Sequence, residues 1–385
     1  MAKVIVVGAG IGGLAAALCL RMRGFDVSII EQAPELREIG AGLQISPNGA
    51  RVLDALGLGQ QLRAASVCAQ AVRLRDGLTG SDVATIPVGG GDNDAYRFIH
   101  RADLIDLLAR RVTSSAINLV LGQAVVGFQD GAQPSVSLAT GELLHGDYIV
   151  AADGLNSRAR PYLNGTETPF FTGQVAWRAV VPNIIGHPAE AHVHMGKGRH
   201  LVTYPLRDGK LVNIVAVEER SEWAAAGWSH TDSAENLQHA FRSFAEDVQI
   251  LLGAVEVPGL WGLFRHPVAQ HWHGEKLALL GDAAHPTLPF LAQGANMALE
   301  DGWALAQAMA DDGRLDIYQD WRRDRVSRVV AAANGNAWKY HLRNPIVRRT
   351  AHIGLHAVSR FAPERLKAQF EWLYDYDVTT LGKQS

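Results

Sequence analysis

The chain opens on an apolar run, Val4 to Val7, closed by Gly8. Consecutive apolar residues bounded by glycine predict a buried strand. Ile11 to Arg23 reads as a helix, and Gly24 follows, the usual residue just past a helix. Val27 to Ile30 predicts a second strand, closed by Glu31. Further on, Pro47-Asn48 can open a helix to about Leu56. Val72 to Arg75 and Val83 to Ile86 predict short strands around a turn at Asp76-Gly77, and Gly89 to Asp94 predicts a loop. His100-Arg101 opens an amphipathic helix to about Val112, with Asp103 and Asp106 in its favourable first turns. Residues from about Asn118 to Ala139 predict a meander, and Leu143 to Ala152 a single strand. Thr172 to Val217 is β-rich and helix-poor. A helix is expected over Asn236 to Ala245, a strand over Leu277 to Leu280 and a long helix over Gly294 to Ala310. From Asp316 to Glu371 the chain is Arg-rich and amphipathic, with helices expected to cover the sheet.

This order predicts an α/β fold. A Rossmann-like nucleotide-binding domain is discontinuous, over residues 1–70, 97–170 and 266–335. Residues 71–96 and 171–265 read as an inserted β-sheet substrate domain, and 336–385 as a C-terminal helical segment. A ligand buried between two such layers is the expected site.

With 385 residues, the chain is long enough for two domains, or for one with an insertion. Apolar content of 48% and charged content of 19% describe a globular protein. A net charge of −3 gives no electrostatic reason to bind nucleic acid or acidic lipid. Cys19 and Cys68 make no disulfide framework and no CxxC pair, and Cys19 falls within the first helix pattern as a core residue. No stretch of 18 apolar residues predicts a membrane span, and the first strand leaves no room for a signal peptide. A cytoplasmic protein is therefore expected, acting as a monomer or a homodimer.

The chemistry concentrates at three strand tips. Gly8-x-Gly10-x-x-Gly13 stands between the first strand and helix. Its glycines permit a tight turn, approach of a pyrophosphate and close helix–strand packing. The helix N-terminus offers free N–H groups to that pyrophosphate. Glu31 is placed to accept from ribose hydroxyls. The loop Arg37 to Asn48 beside this motif either faces a cofactor or simply connects elements. Asp153-Gly154 and Gly281-Asp282 each follow a predicted strand. Either acid could contact a ligand, or cap a helix.

Taken together, GAGIGG at Gly8 to Gly13, DGLNSRAR at Asp153 to Arg160 and GDAAHPTLPFLAQGAN at Gly281 to Asn296 resemble the fingerprints of the single-component FAD-dependent aromatic hydroxylases, typified by p-hydroxybenzoate hydroxylase. The resemblance spans nearly the whole chain. Within that family the chain is most similar to salicylate, 6-hydroxynicotinate and 3-hydroxybenzoate hydroxylases. The stretches that carry this are Ile39 to Asn48, Arg199 to Leu206, His285 to Asp301 and Trp372 to Asp377.

The resemblance implies a monooxygenase that uses FAD, NAD(P)H and O2. It would hydroxylate a hydroxylated aromatic or N-heteroaromatic carboxylic acid through a flavin hydroperoxide, with or without decarboxylation. Gly8, Gly10, Gly12 and Gly13 would line the FAD pyrophosphate, and Glu31 would hold the adenosine ribose. Arg101, Val125, Asp153 and Asp282 would serve the cofactor, Asp153 indirectly. Pro289 would lie over the isoalloxazine ring, with Gly294, Ala295 and Asn296 donating to its pyrimidine edge. Gln44 would stand near flavin and substrate. His200 would be the base for a phenol proton, with Tyr204 beside it; even spacing puts both on one face of a strand. Read without the family, His200 is more often a structural strand histidine. Arg178 would meet a substrate carboxylate or form an inter-strand ion pair, and Phe290 would give an apolar wall. No metal is expected.

Three positions depart from the relatives: one group has glutamine where Pro289 stands, another histidine at the positions of Gln44 and Phe290. The exact substrate therefore does not carry over. The competing readings are an epoxidase acting on a larger apolar ring, a flavin oxidase without oxygen insertion and a non-catalytic nucleotide-binding protein.

Overall fold

The computed structural model describes residues 1–36, 41–88, 95–220 and 229–382. The expected loop Gly89 to Asp94 and the first four residues of the expected loop Arg37 to Asn48 lie outside the described residues, and the rest of that second loop holds the strand Gly42–Ile45. A five-stranded parallel sheet sets the frame. Its order is Leu277–Leu279, Tyr148–Ala151, Lys3–Val7, Asp26–Ile30 and Asn118–Val120. Val4 to Val7 are buried on both faces, which explains the unbroken apolar run. Helix Ile11–Met22 packs between this sheet and helix Gly294–Asp312. The two helices approach closely: a Cβ on Gly302 would sit 2.9 Å from the Ala16 nitrogen.

An eight-stranded sheet forms the second layer. Its order is Ser229–Thr231, Gly259–Arg265, Phe170–Pro182, Leu211–Glu219, Arg199–Leu206, Glu190–Gly196, Ala71–Asp76 and Asp82–Pro87. All neighbours are antiparallel except Glu190–Gly196 with Ala71–Asp76. One face carries a core of Val175, Trp177, Leu201, Ile214 and Phe241 beneath two short helices. A small sheet, Gly42–Ile45, Arg97–His100 and Ser66–Cys68, stands between the two layers.

Three sequence expectations need correction. Asn118–Val120 leaves the meander and pairs in parallel with Asp26–Ile30. Leu143 to Ala152 is not one strand. Leu143–His145 closes the meander with Ser135–Leu138 and Val125–Gln129, while Tyr148–Ala151 enters the parallel sheet. The break falls at Gly146-Asp147, where the Asp147 carboxylate accepts from the Lys3 N–H at 2.6 Å and redirects the chain. The helix expected over Asn236 to Ala245 is also two: Ala234–Ala240 and Glu246–Gly253. Phe241 and Phe244 both turn into the core between them, and Gln249 Nε2 donates to their carbonyls at 2.6 and 3.3 Å. These carbonyls are thereby satisfied without helix continuation.

The C-terminal helices are Leu315–Tyr340, Pro345–Phe361 and Pro363–Tyr374. The second seals the edge strand Asp82–Pro87, where Ser359 Oγ accepts from the Thr85 N–H at 2.9 Å and donates to its carbonyl at 3.2 Å. Among the described residues, no helix is long and apolar enough to cross a membrane.

Candidate active site

The glycine turn is built for close approach. Gly8 has φ +100°, and a Cβ there would lie 2.4 Å from the Ala152 carbonyl oxygen. A Cβ on Gly13 would fall 2.0 Å from the Gly8 carbonyl oxygen, so the first helix can seat on its strand only with glycine there. Gly12 faces Leu280, at 2.7 Å from its would-be Cβ, and thus the neighbouring strand tip. Gly10 is different. A Cβ there would meet nothing within 4 Å, so the turn is open to a ligand at the helix N-terminus. Glu31 closes the turn, its carboxylate accepting from the N–H groups of Ala9 and Ala33 at 2.7 and 2.8 Å.

From that turn a cavity of about 650 Å³ runs between the two layers. Gly10, Gly12, Gly154, Arg101 and Asp282 line one end. Asp282 is open to the cavity yet lies deep in the protein, and loss of bulk water raises its carboxyl, opposed by His285 and Arg101. Gly294 and Ala295, in the first turn of their helix, line the wall beyond with Pro289 and Phe290. Open glycine backbone, a helix N-terminus, a cation and a carboxylate open to the cavity are the donor and acceptor set that a flavin dinucleotide requires.

The loop before that helix is strained and tied down. Ala292 has φ +52°, a left-handed conformation rare outside glycine. Asn296 Nδ2 donates to the Ala292 carbonyl at 2.9 Å and to that of Gln44 at 3.0 Å. Its Oδ1 accepts from the Ser46 N–H at 3.1 Å. Asn296 is fully buried behind the wall, so its side chain positions the lining rather than joining it. Gln293 extends the same network, donating to Ser46 Oγ at 2.9 Å.

Six expected cofactor residues lie off the cavity lining: Gly8, Gly13 and Asn296, placed above, and Glu31, Val125 and Asp153. Glu31 stands at the glycine turn. Val125 is buried in the meander, paired with Leu138. Asp153 caps the short helix Ala159–Asn164: its Oδ2 accepts from the N–H groups of Arg158 and Ala159 at 2.8 and 3.3 Å. Burial raises its carboxyl, which the bonds from Ser157 and Arg158 oppose.

The other end of the cavity is set by strand Arg199–Leu206. His200, Val202 and Tyr204 face the cavity; Leu201 enters the opposite core, and Thr203 Oγ1 bonds His187 Nε2 at 2.8 Å on that side. His200 keeps 2% of its surface and Tyr204 3%. Phe290 and Tyr340 pack on the His200 ring, with centroids at 5.7 and 5.2 Å. Its Nδ1 meets His341 Nε2 at 2.6 Å. Burial, with His341 adding to it, holds the His200 pKa well below its ordinary value, so the ring rests neutral with one nitrogen lone pair free, and an added proton is favoured to move on. Burial also pushes the Tyr204 phenol up, opposed by nearby Arg178. Arg178 lines the cavity, its guanidinium 5.4 Å from the centre of the Trp261 ring. Gln44 Oε1 accepts from the Tyr96 hydroxyl at 2.8 Å.

The same alternation divides the histidines. Met195 pairs with His200, whereas His194 pairs with Leu201 and His192 with Thr203, on the far face. His192 bonds Glu190 at 3.0 Å and stacks near His187 at 4.3 Å. The histidines of these two strands therefore fall on opposite faces of the sheet. Among the described residues, no group of three or more His, Cys, Asp or Glu side chains could hold a metal ion. Cys19 is inert core: burial pushes its thiol up to about 12.

A buried ion network holds the Asp282 loop. Arg322 Nε donates to Asp301 at 2.8 Å, and Arg322 Nη2 lies 2.6 Å from Glu300. Asp301 also meets His285 at 2.5 Å and accepts from the Gly281 N–H at 3.2 Å. Glu300 reaches across to Asn48 at 2.6 Å and Arg325 at 2.8 Å. Sequence reasoning missed these residues, together with Tyr96, Tyr340, His341 and the cavity-lining Leu366 and Phe370. Paired acids in the first turns after Gly294, with arginines one helix on, were the available signal for the network. Nothing local marks His341.

A family described as "FAD binding domain" matches residues 1–333. A 3-hydroxybenzoate 6-hydroxylase of Polaromonas naphthalenivorans (strain CJ2) is 34% identical over 97% of this chain and 96% of its own. A 6-hydroxynicotinate 3-monooxygenase of Bordetella bronchiseptica is 30% identical over 89% and 93%. A solved salicylate hydroxylase substrate complex superposes with a TM-score of 0.82 at 26% identity, over 98% of this chain and 96% of that one. With the glycine turn, the cavity-facing Asp282 and the cavity between the layers, these likenesses establish that the chain belongs to the FAD binding domain family, as an FAD-dependent aromatic-ring hydroxylase.

Proposed function

We propose that this enzyme uses NAD(P)H and O2 to hydroxylate a hydroxylated aromatic or N-heteroaromatic carboxylic acid, with or without loss of the carboxylate. The observation that carries this reading is the pairing of His200 with Tyr204 on one strand face, in the same cavity as Pro289, Phe290 and the helix start at Gly294. When bound and reduced, FAD supplies the activation of dioxygen that no side chain can perform. Gly10 and Gly12 would face its pyrophosphate, on the turn that Gly8 and Gly13 shape, and Glu31, Val125 and Asp153 would support the adenosine half. Arg101 and Asp282 would hold the polar chain, and Gly294, Ala295 and Pro289 would frame the ring, on a loop that Asn296 ties down. Gln44, on the cavity lining, would stand near flavin and substrate.

His200 takes the substrate's phenol proton and makes the ring electron-rich, a task suited to a neutral imidazole. Tyr204 donates to the phenolate oxygen. Arg178 receives the carboxylate, since its planar fork matches one. Phe290 and the buried walls keep water from the reacting atoms. The parallel-sheet segments 1–70, 97–170 and 266–335 serve the cofactor. Segments 71–96 and 171–265 serve the substrate, residues 336–385 close over both, and the enzyme works in the cytoplasm.

The test is a screen of hydroxylated benzoates and hydroxypyridine acids, reading NADH and NADPH consumption, oxygen uptake, peroxide and hydroxylated product. A ring acid that stimulates consumption and gains oxygen is the expected result. Consumption that yields only peroxide with every acid would sink it. One observation favours a second substrate class: Leu74, Ile86, Val193, Met195 and Val202 make a broad apolar wall. A larger apolar ring substrate would then outperform the acids in the same screen.

A further inference from the structure

The His200–His341 contact continues to the protein surface. His341 follows directly after helix Leu315–Tyr340. Its Nδ1 lies 2.9 Å from Glu219 Oε1, at the end of strand Leu211–Glu219. The other oxygen of Glu219 is held by the Arg343 guanidinium, with Nε at 3.0 Å. The Arg343 side chain is 69% exposed and that of Glu219 26%. Burial works to raise the Glu219 carboxyl, but the bonds from Arg343 and His341 hold it below its usual range, as an acceptor.

A carboxylate can only accept, so His341 must carry its proton on Nδ1. A neutral imidazole then has a lone pair on Nε2, which must accept from His200 Nδ1–H. His200 in turn is left with its lone pair on Nε2, the nitrogen available to the cavity. One surface carboxylate thus fixes the tautomer of two buried rings. The charged and titratable groups around the chain are Arg199 and Glu218 on the flanking strands, Tyr340 on the helix and Arg343 on the loop.

We propose that Glu219 and His341 are positioning residues that lock the His200 Nε2 lone pair toward the cavity and conduct the proton His200 takes out to solvent. The proposal rests on the reading of His200 as the base. A phenol proton moves to His200 Nε2. The proton on His200 Nδ1 passes to His341 Nε2, and the one on His341 Nδ1 passes to Glu219, which releases it to water. Each ring gains one proton and loses one, and the negative charge remains on the substrate oxygen. The reverse sequence reprotonates the product phenolate and restores both tautomers.

The first test needs no substrate. In FAD-loaded enzyme labelled with nitrogen-15 histidine, long-range proton–nitrogen spectra should show His200 as the Nδ1–H tautomer, its signal assigned by its loss in His200→Gln. In Glu219→Gln, Arg343 claims the amide oxygen, and the amide N–H faces His341. Both rings should then flip, leaving His200 with Nε2–H. Finding Nε2–H in the unmodified enzyme, or no change in Glu219→Gln, overturns the proposal. Should Glu219→Gln fold poorly, His341→Leu must also disturb the His200 tautomer.

The second test is kinetic. Glu219→Gln and His341→Leu should lower coupled hydroxylation about 100-fold, the scale of one proton-transfer catalyst, with FAD content unchanged. If His200→Gln keeps full coupled hydroxylation, the base reading itself fails. If only His200→Gln loses it, and the other two keep the unmodified rate and pH profile, the base stands and the relay falls.

Discussion

Single residues of the cleft separate into those the fold needs and those the ligand needs. Gly13 is the first kind: a Cβ would collide with the Gly8 carbonyl oxygen at 2.0 Å. Gly13→Ala should cost about 1–3 kcal/mol by overpacking, read as a lower midpoint in urea. Gly10 is the second kind, with nothing within 4 Å of its would-be Cβ. Gly10→Ala should leave the urea midpoint unchanged yet weaken FAD at least about tenfold in a fluorescence titration, ~1.4 kcal/mol. Equal stability losses in the two variants would remove the distinction. At the other end, His200→Ala should keep FAD and lose about 10²- to 10⁴-fold in coupled hydroxylation. Full coupled turnover in that variant would take His200 out of the base role. Much at this scale is legible in sequence, because a glycine motif encodes its own backbone and even spacing encodes a strand face. Asp153 and Asn296 are less so: cap and wall residues look like ligand contacts until their partners are seen.

At the scale of elements, one strand partitions the protein. Arg199–Leu206 turns His200 and Tyr204 to the cavity and Leu201 and Thr203 to the core beneath. A one-residue slip would exchange these roles, so its register is defended on both sides by paired strands. The long helices are held by the Arg322 network. Arg322→Ala would leave Glu300 and Asp301 buried with less compensation, and should cost about 3–5 kcal/mol in urea unfolding. The Asp282 loop, tied to Asp301 through Gly281, should loosen its hold on FAD as well. A loss under 1 kcal/mol with unchanged FAD affinity would mean the network is dispensable. The strongly patterned elements could be read from the chain directly. The breaks at Gly146 and at Phe241 could not, since each is set by a distant partner: Lys3 in one case, and the core that receives Phe241 and Phe244 in the other.

For the molecule as a whole, the far face of the large sheet makes stability depend on pH. Burial lowers His187 to about 4 and His194 to about 3, and lowers His192 in the same direction. A histidine depressed in the fold stays neutral while the unfolded chain protonates, so stability present at neutral pH is lost as pH falls below about 6.5. Between about pH 7 and pH 5, His187 and His194 should each remove on the order of 1–2 kcal/mol. Asp153 and Asp282, both raised, act in the opposite sense. Urea midpoints across that range should therefore fall with acid, and His194→Leu should flatten the slope. A flat profile in the unmodified enzyme would refute the account. The layered α/β architecture was readable from alternating strands and helices, but the closure of the cavity was not. Leu366, Phe370 and Tyr374 come from the last helix and line the cavity that begins at Gly10. A chain emerging from the ribosome therefore finishes its glycine cradle long before it owns a ceiling. Until its final helix is made, the newborn protein carries a roofless cleft whose apolar wall stands open to water.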